Sequence, residues 1–94
     1  MTDEQDEPWY VTVVASAERG LARIPEKVVV ACLDFCTGTL ARDPRRLGKP
    51  LGDDLAGFLV ARRGSYRIVY ELLPEIRTVM ILRIEHRADV YRSR

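Results

Sequence analysis

"FLVARRGSYRIVYELL", residues 58–73, reads as two apolar, β-branched runs that meet at Gly64-Ser65. A two-residue loop with glycine first suits a type II′ turn, whose twist matches that of paired strands, so the stretch is a β-hairpin and its tip sets the register. Arg63 then pairs with Tyr66, Arg62 with Arg67, Ala61 with Ile68, Val60 with Val69 and Leu59 with Tyr70. Side chains alternate across a sheet, so Leu59, Ala61, Ile68 and Tyr70 share an apolar face suited to helices, while Phe58, Val60, Arg62, Arg67 and Val69 share the other. Arg62 and Arg67 face each other directly, which costs up to about 1 kcal/mol between like charges. A carboxylate would offset that cost, and Glu71 is the nearest one on this face, two strand positions beyond Val69. A bound phosphate would offset it better, because two guanidinium forks can grip several oxygens. The plain alternative is that both arginines splay into water.

Working outward, "RTVMILRIE", residues 77–85, supplies a third strand of an antiparallel meander. Upstream, "WYVTVVA", residues 9–15, reads as a first strand buried on much of both faces. Ser16 stands as the N-cap of a short helix, "SAERGLARI", with Ala17, Leu21 and Ile24 inward; Pro25 ends it and opens the next. "PEKVVVACLDFCTGTL", residues 25–40, is the main helix, with Val29, Cys32, Leu33, Cys36 and Leu40 inward. From Gly38 to Gly57, dense glycine and proline predict a long loop pinned by Leu47, Leu51 and Leu55. Such a loop is either a solvated connector or a basic segment whose Arg45, Arg46 and Lys49 contact phosphates. The fold expected is a single α+β domain over residues 9–94, β-α-α-β-β-β, an antiparallel sheet with a helical hairpin on one face, preceded by a disordered acidic tail at residues 1–8.

Composition narrows the function classes. The chain has 94 residues, 47% hydrophobic and 31% charged, in the ordinary globular range. Its longest apolar run, Val28 to Leu33, is far too short to span a bilayer, and its acidic start is unlike a signal peptide; a cytoplasmic protein with no membrane partner is expected. Cys32 and Cys36 lie four apart on one helix face, where disulfide geometry is out of reach, and the lone His86 cannot complete a four-ligand zinc site. Both cysteines read as small buried hydrophobes, with no metal and no cofactor expected. The net charge of +1 conceals an uneven distribution, since residues 1–8 hold four acids and no base while the remainder holds 15 bases against ten acids. Between Ala41 and Tyr70, seven bases face three acids, so an anionic partner is best sought there.

The C-terminal stretch "RIEHRADVYR", residues 83–92, returns beside the hairpin with Arg83, Glu85, His86, Arg87 and Tyr91. Histidine transfers protons near neutral pH, and tyrosine stacks on bases or hydrogen-bonds hydroxyls. Arginines, a histidine and a tyrosine on one face suit RNA cleavage without a metal, in which a 2′-hydroxyl attacks the adjacent phosphate while cations stabilise the added negative charge. A strand-end hydrogen bond is the structural alternative for His86.

"LAGFLVARRGSYRIVYEL", "IEHRADVY" and "RLGKPL" together resemble blocks of the RelE-type toxins of the RelE/ParE toxin–antitoxin superfamily, over about Trp9 to Arg92. The resemblance implies a ribosome-dependent mRNA interferase that inhibits translation, uses no cofactor and is neutralised by a cognate RelB-like antitoxin in a toxin–antitoxin hetero-oligomer. By position it implies that Arg67 stabilises the transition state and that Tyr91 orients the substrate; the general-acid position falls on Glu85 or, after a small shift, on His86 or Arg87, of which the last two are preferred. Arg62, Arg63, Arg83, Lys49, Arg45 and Arg46 would bind RNA phosphates. Phe58 and Val60 stand where a studied member has lysines. A gyrase inhibitor of the ParE branch, or an inactive relative that only binds its antitoxin, are the alternatives.

Overall fold

The computed structural model of the protein describes residues 7–50 and 57–86. Five strands form one sheet in the order β1-β5-β4-β3-β2: β1 Tyr10–Val13, β2 Lys49–Pro50, β3 Phe58–Arg63, β4 Tyr66–Leu73 and β5 Thr78–His86. The β3–β4 hairpin has the register that Gly64-Ser65 dictates, Arg62 opposite Arg67 included. Gly64 has φ +63° while Ser65 keeps a negative φ, as a type II′ turn requires and a type I′ turn would not. The sheet is mixed rather than antiparallel throughout, because β1 runs parallel to β5, from Tyr10 beside Thr78 to Val13 beside Ile81. As an edge strand with helices over one face only, β1 is not buried on both sides; Tyr10 is 75% exposed.

The helices α1 (Ala15–Leu21) and α2 (Glu26–Phe35) cover the face predicted from the hairpin. Val14, not Ser16, takes the N-cap position of α1, because its N–H still donates to the Ile81 carbonyl at 3.0 Å and the chain turns directly off the strand. Ala17 is buried, and Leu21 and Ile24 pack against the core as expected. α1 stops at Leu21, short of Pro25; tight bonds from Arg23 N–H to the Gly20 carbonyl and from Ile24 N–H to the Leu21 carbonyl close it. Pro25 instead leads into α2, where Val28 rather than Val29 packs on the core.

The long loop expected from Gly38 to Gly57 is mostly absent from the described residues. The main helix continues as a π turn, Cys36–Leu40, followed by α3 (Pro44–Leu47) and β2. Cys36 and Leu40 are fully buried, and their burial outweighs the weak helical preference of Gly38. Pro44 opens α3 at a position whose N–H would lack a partner anyway. Tyr70, fully buried on β4, donates its hydroxyl to the Pro44 carbonyl at 2.5 Å and fills the space beside Gly48, where a Cβ would lie 1.9 Å from the phenolic oxygen. Glycine at position 48 is therefore dictated by Tyr70. Leu47 packs on the core as expected, whereas Leu51 and Leu55 lie outside the described residues. At the centre, Cys32, Cys36 and Leu40 meet Ile68, Tyr70, Val79, Ile81 and Ile84, each side chain contributing roughly 1.5–3 kcal/mol by burial where it is large. Both cysteines are free. Among the described residues no helix is long and apolar enough to cross a membrane.

Candidate functional site

The face that the described helices leave uncovered is built by strand register. Arg67 lies opposite Arg62 on one side and opposite Glu85 of β5 on the other, so a base, a base and an acid form one row across three strands. The next row is Lys49, Val60, Val69 and Arg83, and beyond it Phe58 lies opposite Glu71. Lys49 thus stands directly across from Val60 and brings a positive charge to that row. Glu71, expected as the nearest carboxylate, is two rows from Arg67; Glu85 is nearer. The β4–β5 register shifts between Val69 and Tyr70, and no two-residue turn fixes it from sequence, which is why this partner escaped detection.

Glu85 does not neutralise Arg67. Its carboxylate lies 3.6 Å from Nη1 of Arg83, an exposed residue on the same strand face. Arg67 is half-buried, and its Nε is a buried donor with no hydrogen-bond partner among the described residues. Leaving such a donor unsatisfied costs about 1–3 kcal/mol, which an incoming anionic oxygen would recover. Arg62 is exposed beside it. The row therefore offers an anion two adjacent guanidinium groups with a carboxylate alongside.

His86 is not on this face. It pairs with Tyr66, the neighbour of Arg67 in sequence, and its ring meets the Tyr66 ring edge to face at 5.0 Å and 86°. With Lys27, Val28, Ala31 and Cys32 of α2 and with Arg63 it lines a cavity of about 340 Å³ on the helix side. The expectation that His86 joins the arginines of the Arg67 face is corrected, since period-two alternation puts it on the side opposite Glu85, and Arg63, expected to bind phosphate, lies on that same helix side. In the same cavity burial raises the Cys32 thiol above its ordinary range, with Arg63 opposing. Arg87 and Tyr91 lie outside the described residues. Arg45 and Arg46 sit on α3, away from the row: Arg46 Nε donates to the Asp43 carboxylate at 2.6 Å, and Arg45 stacks over Trp9.

Comparison with known proteins places this geometry. Residues 11–91 match the family model described as ParE toxin of type II toxin-antitoxin system, parDE. Toxin RelG of Mycobacterium tuberculosis is 46% identical over 85 residues, covering 90% of this chain and 98% of that protein. Toxin RelE of the same organism is 46% identical over 87 residues, covering 93% and 90%. The crystal structure of the toxin–antitoxin complex RelBE2 from Mycobacterium tuberculosis includes a chain that superposes with a TM-score of 0.82 at 43% identity, over 86% of this chain and 100% of that one. The isolated RelE toxin of E. coli, at 16% identity and a TM-score of 0.68 over 90% and 93% of the two chains, shares the fold. With a family model covering most of its length and two relatives alike across nearly the whole of both chains, the protein belongs to the RelE/ParE family of type II toxins, on its RelE-type side.

Proposed function

We propose that this toxin is a ribosome-dependent mRNA interferase acting in the cytoplasm, and that it is silenced by a RelB-like antitoxin. The observation that carries the reading is the row Arg62, Arg67, Glu85, with the unpartnered buried Nε of Arg67 at its centre. In this reading the scissile phosphate lies against Arg67 and Arg62. The 2′-hydroxyl oxygen attacks the adjacent phosphorus and gives its proton to Glu85, the carboxylate opposite Arg67. A cyclic phosphate forms and the 5′-oxygen leaves, taking a proton from Arg87 as the resemblance assigns. The guanidinium pair stabilises the charge that builds on the phosphorane oxygens. Tyr91 orients the substrate, Lys49 and Arg83 hold flanking phosphates, and His86, on the helix side, stays outside this proton path. The solved complexes of similar toxins with their antitoxins support a protein partner of that kind.

Primer extension on messenger recovered from an in vitro translation reaction is expected to show new ends within codons. Intact messenger would overturn the reading. A second reading, an inhibitory gyrase binder, is favoured by the half-buried Phe58 and Val60 on the same face, where a nuclease would gain from positive charge. Loss of DNA supercoiling with messenger intact would select it.

A further inference from the structure

The far end of β5 carries a second basic cluster that the row at Arg67 does not use. Trp9, Arg42, Asp43, Pro44, Arg45 and Arg77 line a cavity of about 470 Å³. Arg77 immediately precedes β5 while Glu85 is near its other end, so the two residues are roughly 25 Å apart along the strand at about 3.3 Å per residue. The guanidinium carbons of Arg45 and Arg77 each lie 5.2 Å from the centroid of a Trp9 ring. Stacking of this kind occupies the flat faces of the guanidinium groups and leaves their N–H edges for anions.

The local charges do not cancel. Asp43, the acid in the lining, is engaged by Arg46 at 2.6 Å, and among the described residues Arg42, Arg45 and Arg77 have no carboxylate within ion-pair distance. Arg77 also holds an unusual backbone: φ is +45° and ψ +52°, the left-handed region that glycine or asparagine occupies at less cost. That position is fixed by bonds from Arg77 N–H to the Pro74 carbonyl and from Tyr10 N–H to the Arg77 carbonyl, while Nη2 of Arg77 reaches the Glu7 carbonyl at 2.6 Å. Beside it the Tyr10 ring is largely exposed.

We propose that Arg42, Arg45 and Arg77, gathered around Trp9, form a second anion site that binds backbone phosphates of RNA at a distance from the phosphate being cut. A protein partner fits less well, because an interface core is apolar and depleted of charge, whereas the apolar members of this lining, Trp9 and Pro44, are themselves buried, with Arg42 and Arg45 exposed and Arg77 half-buried. The choice of RNA over another polyanion rests on the interferase reading. The site extends the basic track from the sheet face that the described helices leave uncovered to the junction of β1 and α3, so that RNA is held at two separated points.

Trp9 is the single tryptophan of the chain and reports on the site directly. The full-length protein is titrated with an oligoribonucleotide bearing 2′-O-methyl groups throughout, which lacks the attacking hydroxyl, and Trp9 fluorescence is followed at several salt concentrations. A saturable change is expected. Arg77→Gly, which suits the left-handed backbone and so keeps the turn, is expected to weaken binding about tenfold and to lower the slope of log K against log salt by about one, as is the exposed Arg42→Gln. Arg67→Ala is expected to leave the Trp9 response in place while messenger cleavage is lost. Unaltered affinity and salt slope in both Arg77→Gly and Arg42→Gln would overturn the proposal, as would a Trp9 response obtained with poly-glutamate at lower concentration than with RNA. If the parent protein leaves messenger intact yet its Trp9 responds to the oligonucleotide, the interferase reading falls and this site stands.

Discussion

Glu85 lies directly across the β4–β5 ladder from Arg67, yet its carboxylate contacts Arg83, so the acid and the central arginine share a row without cancelling each other. A charge pair held apart in this way suits a site that must accept an anion between its members, and substitutions at Arg67 and Glu85 test it.

Arg67→Ala is expected to reduce messenger cleavage by about 10²–10³, the usual loss when one donor to a developing oxyanion is removed, with no loss of thermal stability. Arg67→Lys should recover little, since a single ammonium cannot reproduce the guanidinium fork. Cleavage by the alanine variant at the parental rate would remove Arg67 from the chemistry.

Glu85→Gln separates binding from catalysis. Removing the negative charge from the row should tighten binding of the 2′-O-methyl oligonucleotide, most visibly at low salt, while cleavage falls by about 10²–10⁴ as the proton acceptor is lost. The same change should cost no more than about 1 kcal/mol of stability, because the ion pair it removes joins Glu85 to the exposed Arg83. Parental cleavage would assign the proton to another group.

Gly48→Ala drives a methyl group into the Tyr70 hydroxyl and is expected to cost about 1–3 kcal/mol in urea denaturation. Tyr70→Phe in the same chain should relieve part of that cost, giving a non-additive cycle. Relief is incomplete because the ring carbon bearing the hydroxyl would itself lie 2.7 Å from the new Cβ. Simple additivity would show that the two residues do not meet.

Alkaline pH should unfold the protein through its core. Burial pushes the Cys36 thiol, with Cys32 adding, from 9.0 up to about 12, and burial likewise pushes the Tyr70 hydroxyl from 10.0 up to about 12, with Cys36 adding. Both groups are neutral when protonated, and the folded state keeps them so while the unfolded chain ionises first. Their stabilisation is therefore complete below about pH 9 and is lost as pH rises toward about 12. Cys36→Ala should flatten this decline in a series of denaturation curves; an unchanged slope would contradict it.

Where the sequence was legible, a local signal set the geometry. Gly64-Ser65 determines the turn, the turn determines the register, and the register places Arg62 against Arg67 with Ile68 and Tyr70 on the core side. The parallel pairing of β1 with β5 left no such mark, because it joins segments more than 60 residues apart through side chains that would serve either direction. Glycine and proline density between Gly38 and Gly57 pointed to a loop because composition does not reveal that Cys36 and Leu40 are both wholly buried. His86 was grouped with Arg67 by nearness in sequence, whereas one residue of β5 separates opposite faces. The sequence brings Glu85 beside the hairpin, but its place opposite Arg67 follows only from the β4–β5 register.

Synthesis delivers β5 after every other described strand. Yet among the described strands it alone pairs with β1, and it carries Val79, Ile81 and Ile84 of the core. A nascent chain that has not yet emerged past Thr78 has β1 unpaired and its centre unfilled, so it should remain sensitive to protease until β5 is free. The row that holds Arg67 and Glu85 is therefore assembled late in synthesis, after α1 and α2 have already been made.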